Sequence, residues 1–343
     1  MSDVPHPNQD QRPDGGARNS SDSICLVVNP QAGAGRAGRE LERLEELVKR
    51  SFETWAIRPT QGPGHGRELA RQAAKDGFDI VAGVGGDGTC HEVVNGLMDT
   101  GTDAETRPVF TVVPFGTGSD LIRSLDIPKD TARALWLAST GITLRADVGW
   151  VQATTAEGAP NERYFINEIS FGMSGMVVDR VNRSSKRLGG FASFLGATVS
   201  GLLSYVPQRA LLSWEGPDGS GQWEGDLMNA FLANGHYCGG GMLVGRGGSM
   251  FDGLLDLTVL PPMNLISSAA NLPRLYRGSA HNAPGAFRVA ATRLEARCTS
   301  PSGGTLLVDA DGEQPGQLPL KARVIPAALQ VRGGWLRSPI TEP

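Results

Sequence analysis

The sequence predicts a doubly wound parallel α/β domain followed by an antiparallel β-sandwich domain. In the first part of the chain, short apolar runs alternate with stretches of helical periodicity, which is the pattern of a parallel sheet covered by helices. Several of these apolar runs end in glycine-rich loops. From about residue 142, short strands and glycine-rich turns dominate, as in a β-sandwich. Because ligands of parallel sheets bind at the carboxyl ends of the strands, we expect a ligand site in the cleft between the domains.

Length and composition fit two soluble domains. The chain has 343 residues, which is too long for one ordinary core. It is 40% hydrophobic and 20% charged, with a net charge of -4 that excludes a global basic field for nucleic acid. The four cysteines are scattered, which favours a reducing cytoplasm over a disulfide framework. No apolar run is long enough to span a bilayer.

Three segments are expected. Residues 1–22 are rich in Pro, Asn, Asp, Gln, Gly and Ser and lack the plan of a signal peptide, so we interpret them as a disordered tail. Residues 23–141 form the α/β domain, and residues 142–335 form the β-sandwich domain. The last residues of the second domain are expected to pack back on the first.

The elements of the first domain follow from apolar periodicity. Continuous apolar runs bounded by glycine predict buried strands, and apolar residues three and four apart predict helices. Strands are predicted at 24–28, 55–59, 78–84 and 109–113, and helices at 39–52, 66–76, 92–99 and 131–140.

The second domain is predicted from alternation and turn residues. Strands are predicted at 143–150, 209–214, 229–233, 255–260, 292–297, 306–308 and 322–325. Two helical interruptions are predicted near 193–205 and 264–275.

The most informative motif is Gly85-Gly86-Asp87-Gly88-Thr89, between a predicted strand and a predicted helix. This arrangement surrounds a phosphate with backbone N–H groups and a helix N-terminus. Asp87 would repel a bare phosphate. We therefore expect it either to bind Mg²⁺ or to act as a base toward an incoming hydroxyl. The alternative is a tight turn with a solvated aspartate.

Two further loops follow neighbouring strands. Residues 29–35 resemble a phosphate-cradling loop but lack the Gly-Lys-Ser/Thr ending of a Walker A motif. Residues 114–120 carry Thr117 and Asp120, and Asp120 could join Asp87 around a cation. For each loop, an ordinary glycine turn or helix cap is the alternative.

Acidic turns recur in the second domain. Asp147 lies at its start, and Asp252 lies in a turn whose carboxylate and carbonyl oxygens suit a hard cation. The stretch 309–313 contains Asp309, Asp311 and Glu313, and its Asp311-Gly312 pair is typical of a type I′ hairpin turn. Three acids in five residues also suggest a site that faces a metal, a cation or an incoming hydroxyl.

Together these motifs resemble the diacylglycerol kinase catalytic family, which includes bacterial soluble diacylglycerol kinases, sphingosine kinases and ceramide kinases. The resemblance extends from about residue 24 to about residue 331, with the motifs in the same order. The resemblance rests on six motifs. They are Asn29-Pro30 with Gly33; the stretch from Gly85 to Gly96, which includes Glu92; Pro114 with Gly116, Thr117 and Asp120; Asn167 with Gly172; Asp252-Gly253 with Asp256; and Asp311-Gly312-Glu313.

The resemblance implies a set of site residues. Those that resemble ATP-contacting positions are Asn29, Pro30, Gln31, Ala32, Gly33, Thr60, Gly86, Asp87, Gly88, Thr89, Glu92 and Thr117. Those that match catalytic acids are Asp87, Asp311 and Glu313, with Glu313 the commoner base. Those that match the metal and water network are Ser249, Asp252, Leu254, Asp120 and Asp147. Cys90-His91 and Ser119 depart from the family pattern, so the resemblance does not predict the hydrogen bonds at these positions.

The implied activity is an ATP- and Mg²⁺-dependent lipid kinase, with the nucleotide in the interdomain cleft. The acceptor is expected to be a lipid alcohol at a peripheral membrane surface, with diacylglycerol preferred and sphingoid or phosphatidylglycerol acceptors open. A basic cluster from Arg180 to Arg187, before the apolar run 191–199, suggests a membrane contact, although a core helix fits equally. An NAD kinase and a non-catalytic regulator are the competing interpretations. The sequence leaves a homodimer open.

Overall fold

The computed structural model of the protein describes residues 20–116, 120–183, 196, 200–201, 204–245, 249–301 and 303–334. Within these residues, no helix combines the length and the apolar character that a bilayer span requires.

The first domain contains a parallel sheet with the strand order β2-β1-β3-β4. Its strands are β1 (Ser20–Val28), β2 (Phe52–Pro59), β3 (Ile80–Gly85) and β4 (Val109–Pro114). Its helices are α1 (Ala32–Arg39), α2 (Leu41–Ser51), α3 (His65–Lys75), α4 (Asp87–Met98), α5 (Asp120–Ser124) and α6 (Thr131–Thr140). The carboxyl ends of β1, β3 and β4 therefore meet at one edge, where the three glycine-rich loops lie.

Two long strands join the first domain to the second. They are β5 (Ile142–Thr154) and β17 (Glu313–Gly333). β17 pairs in parallel with β4 through Val331 and Phe110, and it pairs antiparallel with β5 along most of its length. The strands of both domains therefore belong to one continuous 15-stranded sheet. Val331 of β17 thus lies beside the first-domain strand β4.

The second domain is antiparallel. From β17, the strand order is β17-β16-β7-β10-β13-β14. β15 also pairs with β17, β8 pairs with β15 and β9, and β6 pairs with β5. Its strands are β6 (Pro160–Phe165), β7 (Glu168–Gly172), β8 (Gln208–Gly216), β9 (Gly219–Leu227), β10 (Asn229–Ala233), β13 (Leu255–Leu260), β14 (Phe287–Ala291), β15 (Arg293–Cys298) and β16 (Leu307–Ala310). A separate hairpin consists of β11 (Tyr237–Cys238) and β12 (Met242–Leu243), and the helices are α7 (Met173–Arg183) and α8 (Leu265–Tyr276).

The fold class is as predicted, with an α/β domain followed by a β-sandwich domain, and several boundaries differ. β1 begins at Ser20, inside the range that we assigned to the tail. α4 begins at Asp87 rather than near Glu92, so the Asp-Gly-Thr of the glycine motif forms its first turn. α7 was not predicted, and neither was β7, the strand directly before it. Most of the helical range predicted at 193–205 lies outside the described residues.

The two domains share a core. One buried cluster combines Val81 and Phe110 of the first sheet with Val148 of β5 and Leu329 of β17. A second cluster fills the sandwich around Phe165 and Phe171. Because burial of such side chains stabilises the fold by roughly 1.5–3 kcal/mol each, the shared cluster holds the cleft between the domains in a defined geometry.

Candidate active site

The first turn of α4 presents backbone N–H groups to the cleft. Its N-cap residue, Gly86, is extended, and no side chain caps the helix. The first N–H groups of a helix have no partner within the helix, so an uncapped N-terminus is suited to an anion. Gly88 and Thr89 lie in this turn, and their contact with a phosphate stays a prediction.

The loop after β1 lies beside this turn. The Asn29 amide donates to Thr89 Oγ1 at 3.4 Å, and its Oδ1 accepts the Gln31 N–H at 3.0 Å. Ala32 N–H donates to the Asn29 carbonyl, and the Pro30 carbonyl accepts the Gly38 N–H. The predicted residues from Asn29 to Gly33 thus form one compact loop against α4.

Glycine is required where the loops approach each other. Gly33 has a φ of 61°, and a Cβ there would lie 2.5 Å from the Phe115 carbonyl oxygen. A Cβ at Gly116 would lie 2.5 Å from the Cα of Gly86. The three loops consequently pack backbone to backbone, which leaves their N–H groups close to one another. The predicted Thr117 lies outside the described residues.

Asp87 and Asp120 lie next to each other, and a cation shared between them stays a prediction. The Asp87 carboxylate accepts the Leu121 N–H at 3.1 Å and the Asp120 N–H at 3.4 Å. Asp120 is buried, and it accepts the Gly240 N–H at 2.7 Å and an Arg123 N–H at 3.2 Å. Burial raises the pKa of Asp120 to about 6, with the charge of Asp87 adding to the effect and Gly240 and Arg123 opposing it.

Asp311 is placed differently from a general base. Its carboxylate accepts the N–H groups of Ile166, Asn167 and Glu168 at 2.9 to 3.0 Å. The fourth contact is His91 Nδ1 at 3.1 Å. Four donors occupy the four acceptor sites of a carboxylate, so Asp311 joins α4 to the turn between β6 and β7.

Glu313 is the acid that faces the glycine motif. The type I′ turn at Asp311 (φ 51°) and Gly312 (φ 90°) brings it back over α4. Its Oε1 lies 3.7 Å from the position of a Cβ at Gly88, and its side chain is exposed. Among the described residues, no hydrogen bond or ion pair engages the Glu313 carboxylate, which sets it apart from Asp311.

Glu92 and Thr60 lie at the rim of the loops. Glu92 accepts the N–H groups of Gly64 and Gly66, both at 2.7 Å, so both of its oxygens bind the start of α3. Thr60 follows β2, and its N–H donates to the Val28 carbonyl at 2.7 Å. Glu92 therefore orders the 60–66 loop beside the site, and contact with a nucleotide stays a prediction for both residues.

The predicted metal segment forms a second acidic turn, away from the glycine loops. Asp252 is exposed and accepts the N–H groups of Ser249 and Leu254 at 3.1 and 3.0 Å. Asp147 is buried in β5 and accepts the N–H groups of Gly253 and Ala327. Burial raises the pKa of Asp147, and these two hydrogen bonds oppose the rise. The structure thus places Ser249, Asp252, Leu254 and Asp147 together.

Asp87 and Asp120 are the candidate ligands for a Mg²⁺ ion beside the glycine loops. No cluster of three or more His, Cys, Asp or Glu within the described ranges is arranged to hold a metal. Mg²⁺ in phosphoryl-transfer sites commonly uses one or two carboxylates together with substrate phosphates. Asp87 and Asp120 fit that arrangement, since their adjacent charges disfavour each other in the absence of a cation.

Sequence reasoning missed Arg123, the contact of His91 with Asp311, and the pairing of Asp309 with the buried Glu168. Burial raises the pKa of Glu168 well above its usual range, and the charges of Asp309 and Asp311 add to this. Burial likewise raises the pKa of Asp309 to about 7. Two signals were available: His91 is an unusual residue inside the glycine motif, and Arg123 follows Asp120 at the i,i+3 spacing of a helical ion pair. Glu168 gave no such signal, because it is distant in sequence from Asp309.

The predicted membrane segment is only partly described. Lys186, Arg187 and nearly all of 191–199 lie outside the described residues, whereas Arg180 donates to the hydroxyls of Ser200 and Ser204 at 2.8 and 2.9 Å. A concavity of about 840 Å³ lies elsewhere, on the second-domain sheet near Trp150 and Trp214, and none of the predicted site residues line it.

Comparison with known families matches both parts of the chain. Residues 23–151 match the diacylglycerol kinase catalytic domain. Residues 167–333 match the YegS C-terminal NAD kinase beta sandwich-like domain.

Individual relatives agree. A probable lipid kinase YegS-like from Chromohalobacter salexigens is 32% identical, with 68% of this chain and 74% of the relative covered. A diacylglycerol kinase from Bacillus subtilis is 27% identical, with 86% and 90% covered. The solved structure of a diacylglycerol kinase from Bacillus anthracis has a TM-score of 0.67 at 20% identity, over 93% of this chain and 99% of that one. At that identity, the structural likeness concerns the fold alone.

Proposed function

Because the chain belongs to the lipid kinase family that combines a diacylglycerol kinase catalytic domain with a YegS C-terminal domain, we propose that it transfers the γ-phosphate of ATP to the hydroxyl of a lipid alcohol. The preferred acceptor is diacylglycerol, which would give phosphatidic acid. We infer that the enzyme works in the cytoplasm, at the membrane surface where this acceptor resides.

The observation that carries the proposal is the contrast between Glu313 and Asp311. A general base needs a carboxylate oxygen that can accept the proton of the acceptor hydroxyl. The Asp311 carboxylate is occupied by four donors, whereas Glu313 is exposed above Gly88. We therefore assign the base to Glu313 and a positioning role to Asp311, which holds the turn that carries Glu313.

The other groups serve the phosphates. In phosphoryl transfer, the protein chiefly positions the γ-phosphate and neutralises its charge. The uncapped N-terminus of α4 and the loop from Asn29 to Gly33 are suited to the phosphates. Asp87 and Asp120 would hold Mg²⁺ together with those phosphates, and the ion would supply further charge neutralisation.

Two alternatives use the same fold. An NAD kinase would share the glycine motif, and the description of the matched second domain refers to the NAD kinase sandwich. A non-catalytic regulator would not require an unengaged acid above the phosphate turn. The position of Glu313 next to Gly88 favours an enzyme over a regulator, and a comparison of acceptors separates a lipid kinase from an NAD kinase.

The test is an assay of the purified protein with ATP and Mg²⁺ against separate acceptors. The acceptors are diacylglycerol, a sphingoid base, phosphatidylglycerol and NAD, and products are identified by mass spectrometry. We expect phosphatidic acid, and we expect its formation to be abolished by Asp87→Asn. Phosphorylation of NAD alone, or of no acceptor, would contradict the proposal.

A further inference from the structure

α8 exposes an apolar face to solvent. Ile266 is 83% exposed, Tyr276 is 45% exposed and Leu272 is 38% exposed. Ala270 and Pro273 are also exposed. These five residues, which we call the outer face of α8, are apolar or aromatic, and they account for every exposed side chain that is described within the helix. Contiguous exposed apolar surface of this kind commonly marks an interaction site.

The polar groups of α8 are satisfied within the helix. Asn264 caps it by accepting the Ser267 N–H at 2.8 Å. Asn271 donates to the Ser267 carbonyl at 2.8 Å. The opposite side of the helix is anchored by Leu275, which packs against a cluster containing Phe231, Val244 and Leu260. The outer face is therefore left without polar groups that would favour water.

The charged residues in the chain segment that contains α8 are all positive. No Asp or Glu occurs between Asp256 and Glu295, whereas Arg274, Arg277, Arg288 and Arg293 lie in that stretch. The whole chain has a net charge of -4, so this local excess is not a general property of the protein. An apolar helix face with basic residues beside it is the composition that binds an anionic bilayer surface.

α8 is connected to the candidate active site through the β11–β12 hairpin. It packs beside β12, and the hairpin of β11 and β12 extends from there to α5. At its tip, Gly240 donates to Asp120 at 2.7 Å, and Arg123 lies over the Tyr237 ring with 5.8 Å to its centroid. One hairpin thus connects α8 to the acids beside the glycine motif.

From these observations we propose that the outer face of α8 docks the enzyme on an anionic lipid bilayer, on the side from which the lipid acceptor reaches the cleft. This inference rests on the proposed function for the identity of the acceptor, but vesicle binding tests it without catalysis. Ile266 and Leu272 enter the acyl boundary, Tyr276 lies at the headgroups, and Arg274 faces the lipid phosphates.

The experiment is sedimentation of the full-length protein with vesicles of phosphatidylglycerol and phosphatidylcholine. Ile266→Glu and Leu272→Glu are compared with Ile142→Glu, a matched control because Ile142 is 57% exposed at the start of β5. We expect each α8 variant to weaken vesicle binding by about tenfold or more, because binding scales with buried apolar area. Ile142→Glu should bind as the wild type does, and salt should weaken binding of the wild type.

Activity then separates this inference from the proposed function. With diacylglycerol in vesicles, Ile266→Glu should lose activity, whereas a water-soluble short-chain diacylglycerol should be phosphorylated as by the wild type. If the wild type phosphorylates neither substrate, the proposed function is overturned. The vesicle-binding measurements would still test whether the outer face of α8 is the docking surface. Unchanged vesicle binding by both α8 variants would overturn the docking surface. The docking surface would also be overturned if light scattering shows that Ile266→Glu dissociates a dimer while vesicle binding persists, because the outer face of α8 would then bind a second copy of the chain.

Discussion

Asp311 accepts a hydrogen bond from His91 Nδ1 at 3.1 Å, and this contact joins residues that are 220 positions apart. Because three backbone N–H groups also donate to Asp311, the carboxylate acts as an acceptor, and His91 donates through Nδ1. His91 Nε2 then accepts from the Asn95 amide, whose oxygen accepts the Tyr164 N–H. The glycine motif of the first domain is thereby locked to the acidic turn of the second.

Asp311→Asn should lower both thermal stability and turnover. An amide cannot accept all four hydrogen bonds, and each buried donor left without a partner costs about 1–3 kcal/mol. Thermal unfolding followed by circular dichroism measures the first effect, and steady-state kinetics measure the second. A variant with normal stability and a selective loss of rate would instead indicate that Asp311 takes part directly in the reaction.

Glu313→Gln should leave the melting temperature unchanged and lower kcat by roughly 10²–10⁴-fold. The KM for ATP should change little, because a base acts in the transition state rather than in nucleotide binding. Glu295→Gln, an exposed glutamate on β15, is the control. If Glu313→Gln chiefly weakens ATP binding in calorimetry, Glu313 is a nucleotide ligand.

Gly33→Ala should raise the KM for ATP, because a Cβ would lie 2.5 Å from the Phe115 carbonyl oxygen and force the two loops apart. Gly101→Ala is a matched control. Gly101 also has a positive φ (65°), but a Cβ there meets nothing within 4 Å. Both variants should lose some stability, and only Gly33→Ala should lose ATP affinity. Equal kinetics for the two would mean that the close approach of the loops is unimportant for the nucleotide.

Asp252→Ala should remove the Mg²⁺-dependent part of thermal stability. A ligand that binds only the folded state raises the melting temperature by mass action. The measurement is the difference in melting temperature between Mg²⁺ and EDTA, with Asp218→Ala as an exposed control. This separates metal binding from the loss of the hydrogen bonds to Ser249 and Leu254, which is independent of Mg²⁺. A wild type without any Mg²⁺-dependent rise would contradict the site.

Glu168→Gln should reduce the dependence of stability on pH near neutrality. Burial raises the pKa of Asp309 to about 7 and that of Glu168 well above its usual range. Groups with raised folded-state pKa values stabilise the protein at low pH, and that contribution is lost as the pH rises through about 7. The wild type should therefore lose more melting temperature between pH 6 and about 8 than the variant. Parallel curves for the two proteins would exclude the buried pair as the cause.

Local sequence patterns were sufficient for most of the first domain. The apolar runs ending at Val28, Val84 and Val113 lie in the strands β1, β3 and β4 as predicted. The Asp-Gly pair at Asp311 also forms the predicted type I′ turn. Such features depend on periodicity and on the conformational freedom of a few residues, both of which are visible over ten residues or fewer.

The sequence by itself determined the fold class, the family resemblance and the identity of the acids. Only the tertiary structure decided how those acids differ, with Asp311 occupied by four donors and Glu313 facing Gly88. It also decided that β17 joins the strands of the two domains in one continuous sheet, and that the outer face of α8 is exposed. The physical reason is that these properties depend on contacts between residues far apart in the chain, such as His91 with Asp311, and no local periodicity encodes which distant partner a side chain meets.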